Sequence, residues 1–356
     1  MKRFNVGIFC LLLCCVRSTS LKAESPEVEK ARQYGAQGQV TLRIVDSTNK
    51  PVEKAQVSVA FWPSDSSADA IVSEGYTDTK GLFVAKGKTI GDMNYTVTKE
   101  GFYKTTGKYW FYRPSGLDAS TNSATSPTSG EYWLYHQQEN TVKAGRWQPW
   151  DPTINVVLKE HRNPVPMYAK NIDVPIPVLG CRIGFDLEKG DWVAPYGQGH
   201  HADMLVQYVA TYEGPQVFSK RLEITFSNTL DGVQFPRLDK TSDFMSLYAA
   251  PEEGYVTKLE FERERTQTKI MKSREMEKEQ YLIFRVRTIT DKSGKISSAN
   301  YGKIYGPIEY GRMGAQHRLL FSYYFNPAAN DRNLEFDPSQ NLFNWKRDAR
   351  ERPYMP

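Results

Sequence analysis

Cysteine is scarce in this sequence. Three of the four cysteines, Cys10, Cys14 and Cys15, fall close to the N-terminus, and Cys181 is the only other one. One thiol in the remainder of the chain excludes an intramolecular disulfide framework there. Cys181 stands between two short residue runs rich in glycine and apolar side chains. We therefore expect it to pack as a small hydrophobic residue.

Long hydrophobic runs are also missing, apart from a short one at the N-terminus. The mean hydropathy is −0.57. The apolar stretch at 6–16 is too short for a transmembrane helix, which takes about 20 residues. A polytopic membrane protein is therefore excluded. The stretch follows Lys2 and Arg3 and precedes small residues, which is the pattern of a secretory signal peptide.

We predict a signal peptide at 1–23, cleaved after Ser20 or Ala23, and an exported chain that is periplasmic or extracellular. No transmembrane span would remain after cleavage. A lipid anchor is the alternative, because Cys14 and Cys15 lie near the end of the apolar stretch. Neither follows a Gly, Ala or Ser residue, so we expect no lipid anchor.

Charge of one sign does not accumulate. The formal net charge is +5, and it falls to +2 when the three basic residues Lys2, Arg3 and Arg17 leave with the signal peptide. In the highly charged segment 256–280, basic and acidic residues are interleaved. This segment predicts either a projecting hairpin or a short solvated helix. A stripe of cations for phosphates is absent, so we expect no nucleic acid partner.

Familiar catalytic motifs are absent as well. The sequence has no G-x-S-x-G, no H-E-x-x-H, no Walker loop and no G-x-G-x-x-G at a strand–helix junction. Five histidines stand in no triad context: His136, His161, His200, His201 and His317. We therefore predict that the protein is not an enzyme. A hydrolase of unknown type remains an alternative, because a pair of carboxylates need not be close in sequence.

Short β-branched runs separated by turns make up much of the chain. Val40, Leu42 and Ile44 alternate with polar residues, and a turn cluster at 46–51 follows. Alternation of this kind indicates half-buried strands. Many short strands with regular turns favour a β-sandwich over an α/β fold.

Within this region, 40–102 resembles the carboxypeptidase regulatory-like (prealbumin-like, transthyretin-like) β-sandwich. The matching segments are 40–46, 50–52, 55–59, 77–83 and 95–102. Gly81 and Gly101 stand at turns where a positive φ is required. The resemblance implies an accessory module without catalytic residues of its own. The whole chain also loosely resembles uncharacterised exported bacterial proteins that pair such a module with a second β domain.

We predict an all-β fold with two β-sandwich-like domains, the first of them prealbumin-like. A signal peptide at 1–23 and a flexible leader at 24–37 precede the first sandwich at 38–162. A Ser/Thr-rich aromatic loop at 113–150 is inserted into that sandwich. A Pro-rich connector at 163–177 leads to a second β-rich domain at 178–325. An irregular tail at 326–356 follows.

The inserted loop carries the predicted ligand-binding residues. They are Trp110, Tyr132, Trp133, Tyr135, Trp147 and Trp150. Exposed aromatic faces stack on sugars or on peptide side chains at low entropic cost. The alternative is that these rings fold back and anchor the loop.

Two groups of residues were weighed as metal sites. His200 and His201 lie near Asp186, Asp191 and Asp203, but adjacent histidines on a strand point to opposite faces. The oxygen-rich run of Asn330, Asp331, Asn333, Glu335 and Asp337 lacks the spacing of an EF-hand and reads as turns. We predict no metal and no cofactor, with a structural calcium as the alternative for this run.

These observations lead to a ranked functional hypothesis. The first is a non-catalytic exported structural or interaction protein that recognises a protein or glycan of the cell envelope through β-sandwich surfaces. The second is a carbohydrate-binding protein that uses the aromatic loop. The third is a hydrolase of unknown type, which a cleft with converging carboxylates in the second domain would favour.

Overall fold

A computed structural model describes residues 25–64, 66, 70–112, 123–125, 132–135, 141–214, 216–268, 270–277, 279–343 and 351–356. For 123–125 and 132–135 it describes the backbone but not the side chains. The predicted signal peptide at 1–23 and much of the predicted loop at 113–150 lie outside the described residues.

The fold is all-β and sandwich-like, which confirms the predicted fold class. The first half has one helix, α1 (Pro26–Tyr34), and eleven strands: β1 (Ala36–Val45), β2 (Gln56–Phe61), β3 (Ile71–Tyr76), β4 (Leu82–Thr89), β5 (Asp92–Thr98), β6 (Thr105–Trp110), β7 (Ser123–Thr125), β8 (Tyr132–Tyr135), β9 (Thr141–Lys143), β10 (Arg146–Gln148) and β11 (Thr153–Val157).

The second half has eleven further strands: β12 (Tyr168–Pro175), β13 (Arg182–Asp186), β14 (Asp191–Trp192), β15 (Met204–Gly214), β16 (Val217–Thr225), β17 (Gly232–Gln234), β18 (Lys258–Arg265), β19 (Met271–Arg274), β20 (Leu282–Thr290), β21 (Ile296–Met313) and β22 (Gln316–Asn326). A 3-10 helix at Pro338–Gln340 follows.

Two sheets form what we call the N-terminal unit. One has the order β11-β1-β10-β9, with β4 on β1, and the other has the order β3-β2-β5-β6-β8-β7. Alternating apolar residues of β1 and β2 face inward, so Val40, Leu42, Val57 and Val59 are wholly buried in one core. The predicted alternation is therefore the alternation of core and surface positions.

Two more sheets form the C-terminal unit. Their orders are β12-β22-β21-β20-β17 and β14-β13-β15-β16-β18-β19. Apolar residues of both sheets, such as Phe185, Tyr208 and Phe284, share a core. Each of the four sheets takes its strands from one side of 158–167. The domain boundaries drawn from the sequence remain a prediction.

The leader predicted to be flexible instead contains α1. Ser25 caps the helix by accepting a hydrogen bond from the Val28 amide, and Pro26 occupies its first turn. Both residues are typical of helix N-termini. Val28 and Ala31 lie three residues apart on one face, and both are buried in the core of the N-terminal unit.

Two other segments gain definition. The predicted Pro-rich connector is extended, but its second half is β12, which pairs with β22 from Tyr168↔Phe325 to Pro175↔Arg318. In the charged segment, β18 and β19 pair antiparallel, so the hairpin alternative is confirmed there. Among the described residues, no helix has the length and apolar character needed to cross a membrane.

The two units meet through main-chain and buried polar contacts. Thr105 and Ser242 form an isolated β-bridge, and the Thr106 amide donates to the Thr241 carbonyl at 2.8 Å. Buried Glu335 of the C-terminal segment accepts the Tyr103 hydroxyl at 2.7 Å. The same carboxylate accepts the main-chain N–H of Arg162 at 2.9 Å. A carboxylate shared by several donors fixes the position of the elements that supply them.

Candidate functional site

One edge of β21 lacks a neighbouring strand along part of its length. β20 pairs with β21 only as far as Leu282↔Ile304, whereas β22 pairs with it to Met313↔Gln316. The register shifts between Tyr305 and Glu309, which marks a bulge. Within the described chain, 307–313 therefore has a strand on one side only, and bulged free edges of this kind often serve function.

This free edge forms one wall of a groove at an end of the C-terminal unit. The groove has a volume of about 1110 Å³. Its other wall comes from β15, β16, β18 and the segment after β19. Apolar and aromatic side chains line much of it: Tyr212, Phe218, Phe261, Met276, Ile308 and Tyr310. A concave site lined by aromatic side chains with a few polar groups is the usual form of a binding site.

Lys220 of β16 reaches from the facing sheet to the free edge. Its ammonium donates to the Tyr310 carbonyl at 2.6 Å and lies 4.4 Å from the centre of the Tyr310 ring. Burial lowers the pKa of Lys220, and the Arg263 guanidinium lowers it further. A half-buried ammonium without an ionised partner carries a desolvation cost.

No carboxylate within the described chain lies within 4.0 Å of Lys220, Arg263 or Arg312, the three cations of the groove. Lys220 and Arg263 are cross-strand neighbours on β16 and β18. Like charges directly opposite each other on a sheet are destabilising. Glu213, Glu275 and Glu309 also line the groove, and each is exposed.

A cluster of polar rings lies beside Lys220. The hydroxyls of Tyr208 and Tyr212 are 3.2 Å apart, and the His317 ring centre is 5.4 Å from that of Tyr208. The Tyr310 hydroxyl and His317 Nδ1 are buried without a hydrogen-bond partner. Burial lowers the pKa of His317, and the nearby Arg312 guanidinium lowers it further. Unpaired buried polar atoms in a native fold are uncommon and mark a site that merits a functional explanation.

The predicted aromatic site is separate from this groove. Trp147 is wholly buried in the N-terminal core, where its indole N–H donates to the Thr89 carbonyl at 2.8 Å. It offers no face to a ligand, which corrects the prediction for this residue. The cause is β10, whose pairing with β1 and β9 turns Trp147 inward.

The other predicted aromatics have different surroundings. Trp110 and Trp150 are partly buried, and the Arg146 guanidinium lies 4.8 Å from the Trp150 ring centre. The backbones of Tyr132, Trp133 and Tyr135 belong to β8, which runs parallel to β6. The side chains of these three residues lie outside the described part of the chain, so their predicted ligand contacts remain a prediction.

The histidine–carboxylate group is built around an arginine. Asp186 accepts the amides of His200 at 2.8 Å and His201 at 3.0 Å, so the histidines contribute backbone and not ring nitrogens. Asp203 accepts Nε and Nη2 of Arg287 at 2.7 and 3.0 Å. Within the described residues, no three His, Cys, Asp or Glu side chains are arranged to hold a metal ion.

The oxygen-rich run supplies turns and contacts between segments. Asp331 accepts the Asn333 amide at 3.0 Å, and Asp337 accepts the Ser339 amide at 2.9 Å. Glu335 is taken up by the donors described above. Cys181 is exposed, so the prediction that it packs as a small hydrophobic residue is wrong. It precedes the first residue of β13 and lies outside the core cluster.

The sequence gave little signal for the groove. Lys220, Tyr212 and Tyr310 come from three strands that are distant in the chain, and no spacing rule relates them. Gly314, with a φ of 63° at the turn between β21 and β22, marks the hairpin tip. It does not indicate which edge of the hairpin stays free.

Comparison with known proteins places the fold but no family. No family model matches the chain, and no curated protein matches it. The 3-chlorocatechol 1,2-dioxygenase of Rhodococcus opacus matches 36% of this chain and 62% of its own, at 14% identity and a TM-score of 0.27. An intradiol ring-cleavage dioxygenase of Tetranychus urticae matches 37% of this chain and 85% of its own, at 13% identity and a TM-score of 0.22.

A streptococcal ancillary pilin matches 82% of this chain and 60% of its own, at 10% identity and a TM-score of 0.20. This chain thus spans less than two thirds of the first dioxygenase and of the pilin. Enzymes stand among its structural neighbours, so the prediction that the protein is not an enzyme is contradicted. At these identities and TM-scores, the likeness transfers neither a reaction nor site residues to this chain.

Proposed function

We propose that the protein is an exported interaction protein that binds its partner in the groove beside Lys220. The proposal rests mainly on one observation: a half-buried ammonium faces an aromatic groove with no carboxylate within ion-pair distance in the described chain. A ligand with an acidic group would supply the missing counter-charge and fill the concave surface.

The N-terminal unit would act as the accessory module. Its β-sandwich arrangement and the matching turns at Gly81 and Gly101 support a prealbumin-like, carboxypeptidase regulatory-like assignment. Both glycines have a positive φ, 73° and 80°. Export follows from the predicted signal peptide at 1–23. The partner would then be a protein or glycan of the cell envelope.

Selection from a phage-displayed random peptide library, beside retention on a panel of insoluble polysaccharides, tests this proposal. The immobilised protein is the chain from residue 24 onward. The comparison is between wild type, Lys220→Glu and the control Lys272→Glu, whose side chain lies on β19 outside the groove lining. We expect a ligand that the wild type and Lys272→Glu retain and that Lys220→Glu loses.

The panel also separates the alternatives. Polysaccharide retention that survives Lys220→Glu but is lost in Trp133→Ala would assign binding to the predicted aromatic loop. That result would overturn the groove as the binding site. Absence of any retained peptide or polysaccharide would also contradict the proposal.

A further inference from the structure

The inference drawn here rests on the proposed function and names the class of ligand. We propose that the groove binds an extended polypeptide, which adds as a strand to the free edge of β21 at 307–313 and places an acidic side chain against Lys220. Strand addition of this kind takes its affinity from main-chain hydrogen bonds and its specificity from side chains on one face of the added strand.

The main chain of β21 supplies the first part of the argument. Tyr310 and Arg312 lie two residues apart, and successive residues of a strand direct their N–H and C=O groups to opposite edges. The Tyr310 carbonyl accepts from Lys220, and the Arg312 amide donates to the Tyr212 hydroxyl at 3.4 Å. The groups of these two residues therefore face the groove, where a neighbouring strand would lie.

Both partners of this edge are side chains of the opposite sheet. Lys220 belongs to β16 and Tyr212 to β15, so neither is part of a ladder with β21. Each takes one position that a strand neighbour would occupy. Side chains are free to rotate away, whereas a paired strand is not, so this edge is open to an incoming strand at little cost to the sheets.

The backbone between these two residues leaves room for Lys220. Gly311 has a φ of 141°, and a Cβ added there would lie 3.0 Å from Lys220 Nζ. Glycine thus permits the close approach of the ammonium to the edge. The groove volume of about 1110 Å³ accommodates the added chain.

Charge determines the side chain that the ligand must bring. An incoming strand takes over the Tyr310 carbonyl and displaces the Lys220 ammonium, which already faces Arg263 across β16 and β18. Two neighbouring cations without a carboxylate within ion-pair distance favour an acidic residue in the added strand. The apolar floor of Phe218, Phe261 and Met276 favours apolar residues near it.

The test uses a peptide selected on the wild type and its Glu-to-Gln or Asp-to-Asn analogue. Affinity is measured by isothermal titration for wild type, Lys220→Met and the control Lys272→Met. We expect Lys220→Met to weaken the acidic peptide by about tenfold, since a charge-assisted hydrogen bond contributes about that factor. Lys220→Met should leave the amide analogue unchanged, and Lys272→Met should alter neither.

A scan of N-methylated peptides tests strand addition itself. N-methylation removes one amide donor at a time, and only alternate residues of an added strand donate to the edge. We expect binding to fall by about tenfold or more at alternate positions and to persist at those between them. Hydrogen exchange should slow at the Arg312 amide, while the inward-facing Gly311 amide should be unaffected.

The outcomes distinguish this inference from the proposed function. A peptide that needs Lys220 but shows no alternation under N-methylation would keep the groove as the binding site and overturn strand addition. A Lys220-dependent polysaccharide would do the same. Dimerisation that is lost in Lys220→Met, without peptide binding, would assign the edge to a second copy of this chain and overturn the inference.

Discussion

Arg287 holds an unusual backbone conformation in the middle of a strand. Its φ is 57°, at a register shift between β20 and β21. Besides its fork on Asp203, its guanidinium donates to Glu188 at 2.9 Å and lies 3.6 Å from Asp186. A positive φ at a residue other than glycine costs about 1 kcal/mol or more and persists only where surrounding contacts enforce it.

Removal of Arg287 would leave these carboxylates without their cation. Burial already raises the pKa of Asp203 against the opposing effect of Arg287. We expect Arg287→Met to lower the free energy of unfolding by about 2 kcal/mol or more, with part of the loss restored by adding Asp203→Asn. Urea unfolding followed by tryptophan fluorescence measures this. Arg237→Met, with a guanidinium that is 71% exposed, is the control, and an equal loss there would contradict the argument.

His317 gives the groove a pH dependence. Because burial and Arg312 lower its pKa from 6.5 in the folded state, the unfolded chain binds the proton more readily. Its contribution to stability is therefore present above about pH 6.5 and lost as the pH falls through the folded-state pKa. We expect His317→Gln to flatten the pH dependence of the melting temperature between pH 7 and the acid side. An unchanged slope would show that other groups dominate.

Among the elements, β21 carries the tightest packing. A Cβ at Gly302 would lie 2.2 Å from the Tyr324 carbonyl oxygen and 2.3 Å from Phe284 Cζ. Since β22 provides the first neighbour and β20 the second, there is no direction in which the added methyl group is free. Glycine here permits a close approach of main chain and ring.

The substitution Gly302→Ala should therefore destabilise the C-terminal unit. Overpacking of a core costs about 1–3 kcal/mol, and a clash with backbone places this case at the upper end. Ser298→Ala on the same strand is the control, because Ser298 is partly exposed. Thermal unfolding by calorimetry measures both. Equal melting temperatures for the two variants would show that β21 shifts to accept the methyl group.

Strands were predictable from the sequence to the extent that one face of them is buried. Val40, Leu42 and Ile44 alternate, and each is wholly buried in β1. Trp147 was misjudged because composition marks an aromatic segment but not the pairing that turns its ring inward. The groove was beyond prediction because it depends on where β20 ends relative to β21. Alternation fixes the faces of a strand and leaves its free edges undetermined.

At the scale of the whole molecule, Glu335 is the residue that most directly ties the two units together. Its carboxylate receives Tyr103 from the N-terminal unit and the amides of Arg162 and Asn163 from the segment between the units. Stacking of Tyr103 on Phe244, with ring centres 5.0 Å apart, adds an apolar contact beside it. Buried donors left without this acceptor would carry a full desolvation cost.

We expect Glu335→Ala to uncouple the units. Calorimetry should show two separate unfolding transitions, or a wider separation than in wild type, with a loss of about 2–3 kcal/mol from the unsatisfied donors. Glu253→Ala, an exposed substitution, is the control. A single unshifted transition in Glu335→Ala would show that the β-bridge at Thr105 and the ring contacts suffice.

The pairing of β1 with β11 has a consequence for the folding rate. The two strands run parallel from Thr41↔Thr153 to Val45↔Val157, and the Arg43–Asn155 hydrogen bond spans 112 residues. Closing so long a loop consumes chain entropy before any contact repays it, which raises the barrier to folding. The N-terminal sheet cannot be completed until the chain has been made as far as Val157. The nascent first half must therefore wait, with β1 held by β4 alone, for the strand that seals it.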